Sequence, residues 1–214
     1  MAKTASSLKT KNAAYFWTFI TANLAVFWAV MVLSKCDYDA VNQLWHKITK
    51  KDGLLAVTMP LLAIVLNGFL DDQTKARLVF WRWKNPLPGC RAFSNLIRDD
   101  PRINVEKLKL KLGAFPRSPR DQNVLWYQIY KKNIKSVIVS DSHRIYLLTR
   151  DMAALSAVFI PALSTCTLLS ACSLSLRTLY CVALFFQYFI VATSARNYGN
   201  RFVANVLAEE SHLK

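Results

Sequence analysis

Four hydrophobic stretches alternate with polar segments along the chain, and none of the four contains Asp, Glu, Lys or Arg. They are Ala13–Leu33, Leu54–Leu70, Met152–Ser173 and Thr178–Ala195. A helix needs about 20 residues to cross the hydrocarbon core of a membrane, with about 17 as the lower limit. All four stretches meet that limit. The pattern therefore predicts an all-α membrane protein with four transmembrane helices and a helical cytoplasmic module between spans 2 and 3.

The charges predict the orientation of these spans. The chain has a formal net charge of +15, and residues 71–151 hold 17 Lys and Arg against 8 Asp and Glu. Because cytoplasmic loops carry an excess of Lys and Arg, this loop and both termini are predicted to be cytoplasmic. The domain organisation is then a first transmembrane hairpin (1–70), a basic cytoplasmic module (71–151) and a second hairpin with a cytoplasmic tail (152–214).

The first half of the loop is predicted to begin as a continuation of the second span. A helix running past Asp71 would place Trp81 and Trp83 at the level of the lipid headgroups, although the same rings suit stacking on a nucleobase. The prolines and glycine of Asn85–Gly89 would stop it. Asp99-Asp100-Pro101 reads as an N-cap followed by the first residue of a new helix.

The second half of the loop contains three further helix signals. Val105–Leu112 fits either a strand or a helix, and we favour a helix that ends at Gly113. Ser118 and Pro119 are typical of a helix start, which predicts a helix over Pro119–Asn133. Ser140-Asp141 is predicted to cap a helix that runs into the third span. A module of about 80 residues is small for a core of its own, so we expect it to pack against copies in neighbouring subunits.

Cations and aromatic residues of the loop form the candidate ligand site. A phosphate-bearing ligand would be held by basic side chains, and bases of single-stranded nucleic acid stack on aromatic rings. The candidate residues are Arg91, Lys107, Lys109, Lys111, Arg117, Arg120, Trp126, Tyr127, Lys131, Lys132, Lys135 and Arg144. The alternative is that these charges are solvated, or attract anionic lipid, which suits the cations nearest the membrane ends.

Polar side chains within the spans form a second candidate site. Asn23, Asn67 and Gln187 lie in otherwise apolar stretches. An amide in hydrocarbon is costly unless it pairs or meets water, so these residues either bond helices together or line a pore. Four short helices cannot enclose a water-filled channel, and a pore therefore requires a homo-oligomer.

The sequence offers no catalytic or metal-binding motif. It contains no GxSxG, Walker-type loop or HExxH. Its five cysteines form no CxxC, and its three histidines lie in separate regions. We therefore expect a protein that is not an enzyme and that uses no metal or other cofactor.

The loop and the four-span layout resemble a family of bacterial membrane proteins. The residues that carry the resemblance are Asn85–Gly89, Gln122–Tyr127, His143-Arg144 and Leu147–Asp151. With these residues the chain is similar to the four-transmembrane effectors encoded beside nucleotidyltransferases in anti-phage defence, of which the Hailong-type membrane effector is an example. The resemblance implies an inner-membrane channel, kept shut by a short DNA oligomer, with a nucleotidyltransferase as partner.

Two functions follow as hypotheses. The first is an oligomeric, ligand-gated membrane effector, such as a tetrameric pore or ion channel, that binds short single-stranded DNA or a nucleotide. The second is a non-conducting membrane anchor or adaptor that recruits a cytoplasmic partner to the lipid bilayer.

Overall fold

The computed structural model describes residues 8–33, 65, 68–169 and 173–212, and these residues form helices and connecting turns without a strand. The all-α class is therefore confirmed for the described part of the chain. The long helices are α1 (Leu8–Leu33), α2 (Asp72–Phe80), α3 (Val105–Leu112), α4 (Pro119–Lys132), α5 (Val137–Leu168) and α6 (Leu174–His212). Between α2 and α3, a short helical segment runs from Pro88 to Asp99.

Three of these helices are long and apolar enough to cross a membrane: α1 over Asn12–Met31, α5 and α6. They contain the first, third and fourth predicted spans, except that the third was predicted to reach Ser173 and α5 ends at Leu168. The second predicted span, Leu54–Leu70, lies outside the described residues apart from Val65 and 68–70. Three of the four predicted spans therefore lie in helices that are compatible with membrane spanning, and the remaining span, Leu54–Leu70, stays a prediction.

The chain divides into two compact units. The apolar unit consists of Met1–Asp71 and Asp151–Val191, and the basic unit of Asp72–Arg150 and Ala192–Lys214. The basic unit carries 20 Lys and Arg against 8 Asp and Glu, whereas the apolar unit carries 8 against 5. Helices α5 and α6 each contribute residues to both units.

In the apolar unit, α1 packs against the parts of α5 and α6 that belong to this unit. The buried cluster combines Ile20 of α1, Leu155, Phe159 and Leu163 of α5, and Tyr180 and Leu184 of α6. The α5 residues recur every four positions, which places them on one face of the helix. Large apolar side chains such as Trp28, Phe185 and Phe186 are exposed instead. Exposed rings on a charge-free stretch of a helix suit contact with lipid.

The basic unit has a core of its own, to which α6 contributes. Phe202, Val203, Val206 and Leu207 of α6 are buried there. Gly199 lets α6 approach closely, since a Cβ atom at this position would lie 2.8 Å from both Phe80 and Tyr146. Residues predicted to be a tail are therefore part of the basic unit.

Two of the loop helices are confirmed by the structure. Helix α3 covers Val105–Leu112 and ends at Gly113, whose φ of +76° is a left-handed conformation that favours glycine. Its N-cap is Asn104, whose Oδ1 accepts a hydrogen bond of 2.9 Å from the Lys107 amide. Helix α4 starts at Pro119 as predicted and ends one residue before the predicted Asn133, which is its C-cap.

Three boundary predictions were wrong. A break at Leu70-Asp71 precedes α2, so the second span does not continue unbroken into the loop. No helix begins at Pro101, because the Asp100 carboxylate binds the Arg102 amide at 3.0 Å and the Arg102 guanidinium at 2.6 Å. Helix α5 begins at Val137 rather than after Ser140-Asp141, and Ser140 donates its amide to the Ser136 carbonyl as part of the helix.

Candidate cationic sites

An aromatic stack lies beneath α4 and joins it to α5 and α6. The Trp126 and Tyr130 rings stack at 5.9 Å, and Phe202 meets both edge-on at 5.2 and 5.4 Å. The His143 ring stacks on Phe202 at 4.7 Å with an interplanar angle of 7°, and its Nδ1 lies 3.0 Å from the Tyr130 hydroxyl. Trp126 is only 7% exposed. In this arrangement Trp126 is a core residue and offers no free face to a nucleobase.

Burial governs the titration of this stack. Tyr130 and His143 both precede Met152 in the chain, where the charge-free stretch of α5 begins. Burial, with a smaller contribution from Arg150, lowers the pKa of His143 from 6.5 to about 4. Burial also raises the pKa of Tyr130. His143 is therefore neutral at pH 7 and acts as a packing and hydrogen-bonding residue.

Tyr127 lies at the exposed edge of this stack, with its ring centroid 5.8 Å from that of Tyr130. Its ring is 47% exposed, and Lys131, one turn later, places its Nζ 5.0 Å from the ring centroid. Lys132 and Lys135 are also exposed. One aromatic face with several cations beside it is a suitable surface for stacking a base and contacting its phosphates. We call Tyr127, Lys131, Lys132 and Lys135 the lysine surface.

The other predicted cations do not converge on the lysine surface at one point. Arg120 and Lys131 lie eleven residues apart on α4, which is roughly 16 Å along the helix axis. Lys109 and Arg117 are exposed and Lys107 is half-buried. Lys111 is exposed, but its Nζ donates a 3.0 Å hydrogen bond to the Glu210 carbonyl. A single phosphate cannot bridge such a distance, whereas an extended polyanion can contact several of these residues in turn.

The remaining two predicted ligand residues have other neighbours. Arg144 forms an ion pair with Asp141 at 3.7 Å, one turn away on α5. Arg91 is half-buried, with its guanidinium carbon 5.1 Å from the Phe80 ring centroid. The cations that act on Arg91 are Arg82 and Arg196, so it belongs to a different group from the lysine surface.

Sequence reasoning missed this second group, the arginine cluster of Arg82, Arg91 and Arg196. Arg196 stacks on Trp81, with its guanidinium carbon 4.1 Å from the ring centroid, and donates to the Val79 carbonyl at 3.1 Å. Burial lowers the pKa of Arg91 most, and Arg82 and Arg196 lower it further. Arg82 and Arg196, the first and last of the three, are more than 100 positions apart in the chain. Only the doublet of tryptophans around Arg82 was a signal in the sequence.

Of the three amides predicted within the spans, Asn23 has a hydrogen bond in the described part of the chain. Asn23 is buried, and its Nδ2 donates to the Phe19 carbonyl at 2.9 Å within α1. Gln187 is half-buried, and Asn67 lies outside the described residues. Across helices, the Cys181 thiol donates to the Ser164 hydroxyl at 3.4 Å. This contact between helices involves residues other than the three amides singled out in the sequence.

A surface groove of the basic unit lies apart from the predicted ligand residues. In the part of the chain that the structure describes, no group of three or more His, Cys, Asp or Glu side chains is placed to hold a metal ion. A groove is lined by residues 101–106 and His212. None of the predicted ligand-binding residues lines that groove.

Over the residues that the structure describes, this protein is helical, with three membrane-compatible helices and a basic unit that carries two cationic groups. No protein-family model, no curated protein and no solved structure matches this chain.

Proposed function

We propose that this chain is a ligand-gated membrane effector of bacterial anti-phage defence, which forms a homo-oligomeric pore or ion channel in the inner membrane. Its ligand is a short single-stranded DNA or a nucleotide bound by the basic unit, and a nucleotidyltransferase is its partner. The defence role rests on the resemblance of the loop and the four-span layout. The membrane and ligand roles rest on the physical properties of the two units.

The observation that carries the gating proposal is the continuity of α5 and α6. Each helix contributes to the basic unit and to the apolar unit without a break: α5 through residues 137–150 and 151–168, α6 through residues 174–191 and 192–212. A ligand that favours one arrangement of the basic unit therefore acts on two of the three helices that are apolar and long enough to cross a membrane. If the basic unit has two arrangements, such a ligand shifts the equilibrium between them by the difference in its affinity for each.

The distribution of cations favours an oligonucleotide over a mononucleotide. Exposed cations lie at both ends of α4, and the half-exposed ring of Tyr127 lies beside Lys131. A separation of roughly 16 Å between Arg120 and Lys131 exceeds the reach of one phosphate and suits several phosphates along a strand.

Purification of the full chain in mild detergent tests the proposal. We expect a defined oligomer by light scattering, such as a tetramer, with a short oligonucleotide detected by its absorbance ratio and by mass spectrometry. Nuclease treatment should then raise the conductance of planar bilayers that contain the protein. A monomer without nucleic acid, or a conductance that nuclease leaves unchanged, would contradict the proposal.

A second candidate, a non-conducting anchor or adaptor, is favoured by the contact of Asn23. Its Nδ2 donates to the Phe19 carbonyl within α1, and this hydrogen bond needs no water-filled pore. Leucine substitutions of Asn23, Asn67 and Gln187 distinguish the two functions. The pore predicts lower conductance or loss of assembly, whereas the anchor predicts intact activity with zero conductance before and after substitution.

A further inference from the structure

The arginine cluster brings positive charge together around the end of α2. Arg91 lies over the ring of Phe80 at 5.1 Å, and Arg196 over the ring of Trp81 at 4.1 Å. Arg82 follows Trp81 directly in the chain, and its positive charge repels that of Arg91. Neighbouring aromatic faces thus hold two guanidinium groups in fixed positions, with a third cation beside them.

In the described ranges, no carboxylate is paired with this cluster. Among the described residues, none of the three arginines forms an ion pair. The Nη1 atom of Arg91 is buried and has no hydrogen-bond acceptor in the described part of the chain. A buried charged donor without a partner is destabilising, and like charges held together add to that cost. Both costs are removed when an anion binds.

The backbone beside the cluster is strained. Trp81 has a φ of +52° and Asn85 a φ of +49°, in the left-handed region that most residues avoid. Trp81 ends α2 in this conformation and still donates its amide to the Arg77 carbonyl at 2.8 Å. At a helix end this conformation is usually adopted by glycine. Here Trp81 adopts this conformation, and its ring is the one on which Arg196 stacks. Such backbone strain has an energetic cost and is often found at ligand sites.

The position of Arg196 in the sequence points to the ligand. It is the first charged residue after the charge-free stretch Thr178–Ala195 of α6. In a helix that crosses a membrane, such a residue lies at the depth of the lipid phosphates. Guanidinium groups bind phosphate in a bidentate manner, which a lysine ammonium cannot do.

We propose that Arg82, Arg91 and Arg196 form a binding site for a phosphate group, carried by a phospholipid headgroup or by a soluble phosphate ester. This site goes beyond the proposed function, because it uses none of the residues of the lysine surface. Its occupant neutralises a cluster that α2, the segment after it and α6 build together.

Native mass spectrometry of the full chain in detergent tests the site. The lipid probe is phosphatidylglycerol, with diacylglycerol, which lacks the phosphate, as the reference. The variants Arg82→Gln and Arg91→Gln each remove one guanidinium, and Arg98→Gln is the matched control because Arg98 is exposed elsewhere in the basic unit. The soluble probe is pyrophosphate, with binding measured as a rise in melting temperature.

We expect phosphatidylglycerol to be retained over diacylglycerol, and each cluster variant to weaken that retention about tenfold, the loss of one charge-assisted hydrogen bond. This outcome assigns the phosphate to lipid. If the cluster variants instead abolish only the stabilisation by pyrophosphate, the site takes a soluble phosphate. If neither probe distinguishes the cluster variants from Arg98→Gln, the proposal is overturned.

Two controls keep these outcomes interpretable. Arg82 is exposed, so Arg82→Gln should fold even if the half-buried Arg91 does not tolerate substitution. Glutamine at Lys131, Lys132 and Lys135 should leave phosphatidylglycerol retention unchanged. Failure of the oligonucleotide proposal would therefore leave this site standing, and the reverse also holds.

Discussion

Asn133 donates a hydrogen bond of 2.7 Å from its Nδ2 to the Glu210 carboxylate, and both side chains are buried. The same amide also donates to the Ile129 carbonyl at 3.0 Å. Asn133 is the C-cap of α4 and Glu210 lies near the end of α6. One amide group therefore caps a helix and also donates to a buried carboxylate 77 positions away in the chain, which offsets part of the cost of burying that charge.

Asn133→Ala should lower the free energy of unfolding by about 2 kcal/mol, because it leaves a buried carboxylate without its donor. Thermal unfolding of the detergent-solubilised protein measures the change. Asn95→Ala is the matched control, since Asn95 is exposed, and should leave the melting temperature nearly unchanged. Equal effects of the two substitutions would mean that the Asn133–Glu210 bond does not stabilise the basic unit.

Gly199→Ala should destabilise the basic unit by about 1 to 3 kcal/mol. The added methyl group would lie 2.8 Å from the rings of Phe80 and Tyr146, so α6 must shift away from the core. The measurement is again the melting temperature. Asn197→Ala, an exposed position two residues earlier on the same helix, serves as the control. A Gly199→Ala protein as stable as this control would show that the rings give way at little cost.

The stability of the basic unit should fall as the pH drops from about 6.5 to about 4. The folded protein holds His143 with a pKa of about 4, below its value of 6.5 in an unfolded chain. The unfolded state therefore binds more protons across this window, and stability rises with pH within it. The hydroxyl of Tyr130 and the guanidinium of Arg150 are the groups that face this ring.

His143→Phe keeps an aromatic ring against Phe202 and removes the titration. We expect the difference in melting temperature between the wild-type protein and this variant to shrink or reverse from pH 6.5 to pH 4. A constant difference over that range would mean that His143 gains its proton in the folded state as readily as in the unfolded one.

Glutamine at Lys131, Lys132 and Lys135 should weaken oligonucleotide binding and reduce its salt dependence. Each phosphate contact to a single strand contributes about −0.7 to the slope of log K against log salt, so the slope should fall in magnitude by about 2. Fluorescence anisotropy with a labelled oligonucleotide, recorded over a salt series, gives both quantities. Glutamine at Lys47, Lys50 and Lys51 removes the same charge from a segment outside the basic unit and should leave the slope unchanged.

Local signals made part of the fold predictable. The start of α4 at Pro119 and the end of α3 at Gly113 depend on residues within one helical turn of the boundary, so the sequence revealed both. Asp100 shows where local signals compete. Its carboxylate could either cap a helix that starts at Pro101 or accept hydrogen bonds from the Arg102 side chain. In the structure it accepts from Arg102.

Contacts between distant segments were not predictable in this way. Phe202 packs edge-on against Trp126, yet nothing near Phe202 in the sequence distinguishes a core helix from an exposed tail. The arginine cluster was missed for the same reason, since Arg196 lies over the Trp81 ring only in the folded chain. The binding role of the lysine surface, by contrast, was proposed from the sequence and stays a prediction, because exposure shows that its cations are accessible and does not show what they bind.

The contribution of α6 to the basic unit sets the order in which the nascent protein can mature. Residues 72–150 leave the ribosome before Val203 and Leu207, which complete their core. At 5 to 20 residues per second, the intervening stretch takes about 3 to 11 s to translate. During that interval the newly made segment exposes the apolar face that α6 will cover. A chaperone that recognises such faces would have its opportunity to bind in that interval, and translational pausing within α6 would extend it.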